Sequence, residues 1–277
     1  MDPVLQQGAP KVVAARVTRE LDRFLSGRGV RVAVAVRDLG TGRSYVYHGE
    51  LRLPTASVSK MDILMALLLD TPWQGLDART RRDAGRMIRL SDNAAADRLY
   101  ERIGLHDGLA RANRRFGLGN THAPAGRCAG VYCWGITQTV VADQIRLVRI
   151  LAGYGDLLPG RDREQVLGLM RNVVARQAWG ISAAACDGSR VALKNGWLHH
   201  MANRLWAIAS VGLIREPGHD YAVAVLTEDG ASKAAGIAVA EGAARRVLAA
   251  FRGGGCANGA GRPPTGAEDQ RVLSTSR

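Results

Sequence analysis

The sequence predicts an α/β fold of the α+β kind: a five-stranded antiparallel sheet flanked by the terminal helices, with an all-helical lobe inserted after the second strand. Three observations predict it. Two β-rich segments lie near the start of the chain and three more after residue 190, while the stretch from Pro54 to Ser189 carries mainly helical spacing. The strands are joined mostly by hairpins, which pair antiparallel, and the first and last elements read as helices free to cover one sheet face. The 277 residues, 47% of them hydrophobic, suffice for one large domain or two lobes with a sizeable core.

The elements follow in order. Val12 to Leu25 places Val13, Val17, Leu21 and Leu25 at helical spacing and stops at Gly27-Arg28-Gly29. Val30 to Val36 alternates valine with small or polar residues and reads as a strand with both faces covered. Asp38 to Gly42 is the hairpin turn and Ser44 to His48 the return strand. Met61 to Leu69 is apolar nearly all round, which suits a helix buried inside the protein. Ala78 to Leu90, Asn93 to Ile103 and Leu105 to Phe116 are further helices. Gly117 to Gly135 has no period and reads as a long loop. Thr139 to Leu151, with Thr137 or Thr139 as cap, and Arg163 to Val174 complete the helical block. Strands are expected at Arg190 to Leu193, Arg204 to Ile214 and Tyr221 to Thr227, with a turn at Glu216-Pro217-Gly218, and a closing helix at Ser232 to Phe251. The sheet lobe is thus 10–53 and 190–252, the helical lobe 54–189, and 253–277, rich in Gly, Pro and Ser, a disordered tail.

Composition narrows the function. The net charge is +13, but the arginines are scattered on helical segments (Arg79, Arg81, Arg82, Arg86, Arg89) and not interleaved with aromatics. This argues for a solvated basic surface and against nucleic-acid binding. No run reaches membrane-spanning length, and Met1 to Pro10 has no apolar signal core, so the chain as written reads as cytoplasmic, and as secreted or periplasmic if its start is truncated. The four cysteines, Cys128, Cys133, Cys186 and Cys256, have no zinc spacing. Cys128 and Cys133 fit either a small disulfide loop or two free thiols. No metal or organic cofactor is implied, and nothing in the sequence speaks to oligomeric state.

Chemistry concentrates at lobe boundaries. Ser57 and Lys60 stand three residues apart at the head of the buried helix, a spacing that puts hydroxyl and amine on one face. Serine needs a neighbouring base to act as a nucleophile, and a lysine serves if burial lowers its pKa. Only Lys11, Lys60, Lys194 and Lys233 are lysines in a chain that otherwise uses arginine, so Lys60 is not generic surface charge. Ser91-Asp92-Asn93 also reads as a helix cap, and Lys194-Asn195-Gly196 as a strand-ending tight turn. Taken in order with Ser57 and Lys60, the three make a specific set.

That set resembles the Ser-x-x-Lys, Ser-Asp-Asn and Lys-Thr-Gly elements of class A β-lactamases and penicillin-binding proteins, over roughly residues 10 to 252. Lys194-Asn195-Gly196-Trp197-Leu198 resembles the β-lactamase-related serine hydrolases of that group. The resemblance implies a β-lactamase/transpeptidase-like fold and a small-molecule or peptide substrate. It also implies roles. Ser57 attacks an amide carbonyl, Lys60 takes its proton, and Ser91 relays a proton to the leaving nitrogen. Asn93 holds substrate and Lys60, and Lys194 supplies positive charge. The backbone N–H groups of Ser57 and Trp197 form the oxyanion hole. Asn195 stands where a hydroxyl residue meets the substrate carboxylate, and Gly196 keeps the strand open to close approach.

One departure matters most. The loop that in class A β-lactamases carries a deacylating Glu corresponds to Gly117 to Gln138, which contains no Asp or Glu; His122 is its one obvious base. The expectation is retained acylation with slow or atypical deacylation. A D-alanyl peptidase-like enzyme, a biosynthetic acyltransferase and a non-hydrolytic β-lactam-binding protein are the alternatives. Tyr132, Trp134, Trp197 and His199 are candidate pocket residues or simple packing.

Overall fold

A computed structural model of the chain describes residues 11–128, 130–253 and 256. The elements are α1 (Lys11–Leu25), β1 (Arg31–Asp38), β2 (Ser44–Tyr47), β3 (Leu53–Pro54), α2 (Ser59–Asp70), α3 (Ala78–Arg89), α4 (Asn93–Arg102), α5 (Leu105–Phe116), β4 (Arg127–Cys128), β5 (Val131–Tyr132), β6 (Gln138–Thr139), α6 (Val141–Leu151), α7 (Gly160–Arg171), β7 (Arg190–His199), β8 (Trp206–Glu216), β9 (His219–Gly230) and α8 (Lys233–Arg252). The main sheet is five-stranded and antiparallel, in the order β2-β1-β9-β8-β7.

The alternation in β1 sets the two faces of this sheet. Val32, Val34 and Val36 join Leu193, Ile208, Val223 and Val225 in a core closed by α1 and α8. Ala33 and Ala35 face the other way, with Ala192, Ala209, Val211, Ala222 and Ala224, into the core shared with α2 and α6. Small side chains on that face let the helical block approach the sheet closely. α2 lies inside the block, buried at every position from Ser59 to Leu68, as its all-round apolar sequence predicts.

Several expectations are corrected. β7 does not end at Leu193. It runs ten residues, with Lys194, Asn195 and Gly196 opposite Val211, Ser210 and Ala209 in a regular ladder. Pairing with β8 along its whole length overrides the local turn preference of Asn-Gly. α6 begins at Val141 without a side-chain cap, because the two threonines are engaged elsewhere: Thr137 Oγ1 donates to the Trp134 carbonyl, and Thr139 Oγ1 meets Thr121 Oγ1 and Gln144 Nε2. α7 starts at Gly160, behind Pro159, and stops at Arg171, three residues earlier at each end than its apolar spacing suggests. β8 begins at Trp206, since Arg204 sits in the hairpin turn with a φ of +63°.

The long loop is more ordered than its composition implies. It holds the β4–β5 ladder and a 3-10 turn at Cys133–Ile136. Disulfides join Cys128 to Cys133 and Cys186 to Cys256. Of the expected tail, Gly254, Gly255 and 257–277 lie outside the described residues. Among the described residues, no helix is long and apolar enough to cross a membrane.

Candidate active site

The nucleophile's approach is fixed before the helix begins. β3 pairs with β6 (Leu53 opposite Thr139, Pro54 opposite Gln138), and Thr55 N donates to the Thr137 carbonyl over 2.8 Å. A 3-10 turn, Ala56–Val58, then leads into α2. Ala56 adopts a φ of +46°, a conformation that non-glycine residues rarely accept and that persists where the surroundings over-determine it. Ser59 Oγ donates back to the Ala56 carbonyl over 2.8 Å and is committed there. Ser57 is left half-buried, one turn ahead of Lys60.

Lys60 has no exposed surface, and its Nζ has four oxygens within hydrogen-bond distance: Ser57 Oγ at 3.0 Å, the Ser91 carbonyl at 2.6 Å, Ser91 Oγ at 3.2 Å and Asn93 Oδ1 at 2.7 Å. Burial lowers its pKa to about 7, against the opposing pull of Asp92 and Asp97. At neutral pH a large fraction is therefore the free amine, within reach of the hydroxyl whose proton it would accept.

Ser91-Asp92-Asn93 serves as cap and as site at once. Asp92 caps α4, its Oδ1 accepting from Ala95 N at 2.9 Å, and its other oxygen pairs with Arg86. The cap turns the chain so that its neighbours point inward: Ser91, at a φ of +59°, and Asn93 both meet Lys60. From the sheet, Lys194 Nζ donates to Ser91 Oγ at 3.1 Å and to the Asn195 carbonyl at 2.7 Å. Burial and then the Lys60 charge push the Lys194 pKa far below the usual lysine range. Ser91 Oγ thus accepts from two amines, and its own hydrogen remains for a third partner.

Three residues of the Lys194 strand are placed differently from expectation. Gly196 is open less for substrate than for backbone: a Cβ there would lie 2.5 Å from Ser57 N and 2.7 Å from the Thr55 carbonyl. Its bareness brings β7 against the Ser57 amide. Asn195 points to the opposite face of the sheet, where its Nδ2 donates to the Gln177 and Trp179 carbonyls, both at 2.8 Å. Strand alternation dictates this: Lys194 faces the helical block, so the next side chain cannot. The Trp197 ring likewise packs on the terminal-helix side, with Lys233 Nζ 3.8 Å from its centre and Trp179 beside it.

From the 117–138 segment, the side chain that meets Lys60 is Trp134, whose ring centre lies 4.8 Å from Nζ. His122 is bridged to Gln138 through the backbone. His199 stacks on Trp206 at the far end of β7. Tyr132 bonds Glu101 on α4 through its hydroxyl. The sequence gives little warning of Asp97, whose Oδ1 accepts from Trp134 Nε1 at 2.7 Å and from Tyr132 N at 3.2 Å. Its one signal is its position four residues after Asn93, on the same face of α4. Among the described residues, no group of three His, Cys, Asp or Glu is placed to hold a metal ion.

A beta-lactamase enzyme family model matches residues 73–251, more than half of the chain, including Ser91 to Asn93 and Lys194 to Gly196. No curated protein matches the chain. Among solved structures, PBP-A is similar at 19% identity and a TM-score of 0.75, over 90% of this chain and 98% of that one. A PBP-A mutant solved as an acyl-enzyme complex with penicillin G is similar at 20% identity and a TM-score of 0.74, over 90% and 99%. A representative class A beta-lactamase from Bacteroides cellulosilyticus gives 15% identity and a TM-score of 0.73, over 87% and 99%. At these identities the structures speak to the fold.

Proposed function

The chain belongs to the beta-lactamase enzyme family, and on that premise we propose that Ser57 opens an amide bond, in a β-lactam or a related substrate, through an acyl-enzyme that deacylates slowly. The observation that carries this reading is Lys60: an amine with its pKa lowered to about 7, 3.0 Å from the Ser57 hydroxyl. Lys60 takes the Ser57 proton as Oγ adds to the carbonyl carbon. The oxyanion develops beside the Ser57 amide, against which Gly196 packs. Ser91 then delivers its hydrogen to the leaving nitrogen, and its oxygen takes back from Lys60 the proton that Ser57 gave up. Asn93 holds Lys60 and faces the same space.

Slow release follows from what surrounds the ester. The 117–138 loop contains no Asp or Glu to activate water, and the side chain it turns to Lys60 is the Trp134 indole. The same feature favours a second reading, an acyltransferase or D-alanyl peptidase-like enzyme in which another nucleophile collects the acyl group. The two disulfides, Cys128–Cys133 and Cys186–Cys256, fit an oxidising compartment, and we place the mature protein outside the cytoplasm.

Intact-mass spectrometry after incubation with penicillin G tests the reading. The expected result is a penicilloyl adduct on Ser57, absent from Ser57→Ala, that outlasts the free drug. Rapid hydrolysis without an adduct refutes slow deacylation, and neither adduct nor hydrolysis refutes β-lactam acylation.

A further inference from the structure

We propose that Trp134 is a positioning residue that closes Lys60 and the acylated Ser57 off from bulk water, held in place by Asp97 and by the Cys128–Cys133 ring. The inference rests on the acyl-enzyme reading for its consequence, but its structural core is independent of it.

Trp134 is one of the largest fully buried side chains in the molecule, yet it lies on a loop next to a reactive group. An indole on a loop stays buried only when its polar edge is satisfied and its backbone is pinned. Both conditions are met. Nε1 donates to Asp97 Oδ1 at 2.7 Å, and the Trp134 carbonyl accepts from Thr137 Oγ1 at 2.7 Å. Cys133, the preceding residue, is bonded to Cys128, which closes the chain on itself immediately before the ring. Arg127 pairs with the second Asp97 oxygen at 3.5 Å and lies over the Tyr132 ring. The Asp97 carboxylate thus holds the loop through both oxygens, with two hydrogen bonds on Oδ1 and an ion pair on Oδ2.

The ring's position gives it its effect. Its face lies 4.8 Å from Lys60 Nζ, and the turn that carries it packs on the 3-10 turn of Ser57. Around Lys60 the remaining polar groups are Ser57 from the nucleophile turn, Ser91 and Asn93 at the start of α4, Lys194 from β7, and the charges of Asp92 and Asp97. Trp134 adds an apolar face to this shell. Hydrolysis requires a water oxygen to add to the acyl carbonyl, the carbon–Oγ bond to break and a proton to return to Oγ. The ring occupies the loop side from which such a water would come, while the Lys60 amine, freed of its proton, is the available base.

Four lysines in the whole chain make the test direct, because the Lys60 ammonium can be followed by NMR in protein labelled at the lysine ε-carbon. In Trp134→Ala, the Lys60 titration midpoint rises from about 7 towards the ordinary lysine range as water enters. Trp134→Phe keeps a ring without the Asp97 bond and falls between. Cys128→Ser with Cys133→Ser shifts the midpoint the same way by less, which guards against a misfolded Trp134→Ala. The lifetime of the penicillin G adduct is then compared at one shared pH, with each rate divided by the fraction of Lys60 that the titration shows to be free amine. It shortens by about 10²-fold in Trp134→Ala, the lower end of a general-base contribution. An unmoved Lys60 midpoint in folded Trp134→Ala overturns the proposal, as does an unchanged adduct lifetime. A moved midpoint in a protein whose wild type forms no adduct upholds the shield and removes the acyl-enzyme reading instead.

Discussion

Lys194 Nζ donates to Ser91 Oγ over 3.1 Å, on the same hydroxyl that Lys60 Nζ reaches at 3.2 Å. One oxygen thus joins an amine from the sheet to an amine from the central helix. Both amines are buried, and burial lowers the pKa of each. Removing the Lys194 amine leaves Ser91 with one donor. Lys194→Met is expected to slow acylation by about 10²-fold or more, the usual scale for losing a proton-relay partner. Single-turnover acylation by penicillin G checks this.

The Lys60 pKa of about 7 fixes the sign of the pH dependence. The free amine is the base, so the acylation rate rises through about pH 7 and levels off above it. Stability moves the same way for a separate reason. In the unfolded chain a lysine keeps its proton to its ordinary value of 10.5, so between about 7 and 10.5 the unfolded state binds more protons and unfolding becomes harder as pH rises. Lys194 contributes in the same direction. Below pH 7 Lys60 is protonated in both states and contributes no slope. Urea unfolding of wild type and Lys60→Met at several pH values separates this contribution from the carboxylates.

Gly196 has no room for a methyl group. A Cβ would sit 2.5 Å from Ser57 N, 2.7 Å from the Thr55 carbonyl and 3.0 Å from Ala56 Cβ, and two of these three are backbone atoms that cannot swing aside. Gly196→Ala therefore pushes β7 away from the nucleophile turn. The expected result is about 10²-fold or greater loss of acylation, the scale of one misplaced oxyanion donor, with about 1–3 kcal/mol of destabilisation from overpacking. Acylation kinetics and urea unfolding of the variant read the two effects separately.

Asn195 yields a prediction opposite to the one its motif suggests. Replacing it with Thr brings the sequence closer to Lys-Thr-Gly. In this fold, however, its amide holds the Gln177 and Trp179 carbonyls on the far face of β7. Asn195→Thr strands at least one of those buried carbonyls, at about 1–3 kcal/mol. The unfolding midpoint should fall, and penicillin G acylation should not improve; a gain in acylation without loss of stability contradicts the placement of Asn195.

These residues also mark how far the sequence could be read. The strand pattern of Val30 to Val36 and the all-round apolar run behind Ser57 are strong local signals, and the sheet and central helix follow from them. Ser57, Lys60, Ser91, Asn93 and Lys194 were legible because each sits at a fixed offset inside a short motif, and the fold brings them together. Asn195 was misread because its motif names a residue type, whereas the side of the strand it faces is set by pairing with β8. The Trp134–Asp97 bond joins residues 37 apart through a loop without periodicity, and only the folded chain shows it.

Asp62 carries a carboxyl group into the core beneath the active site. It lies two residues after Lys60, fully buried, and among the described residues neither carboxyl oxygen has a hydrogen-bond partner. Burial first, and then the neighbouring Asp143, hold its pKa well above the usual carboxylate range. The group is thus protonated in the native state over a span where the unfolded chain, at 3.8, has already released its proton. In that span the native state binds more protons, so this residue's contribution to stability falls as pH rises, opposite to the lysines. Asp62→Asn keeps the shape and cannot ionise. It is expected to raise the unfolding free energy at pH 7, because folding no longer requires proton uptake there, and to leave it unchanged near pH 3, where Asp62 is protonated in both states. Urea unfolding at the two pH values checks this; equal effects at both would mean that Asp62 is not protonated by folding.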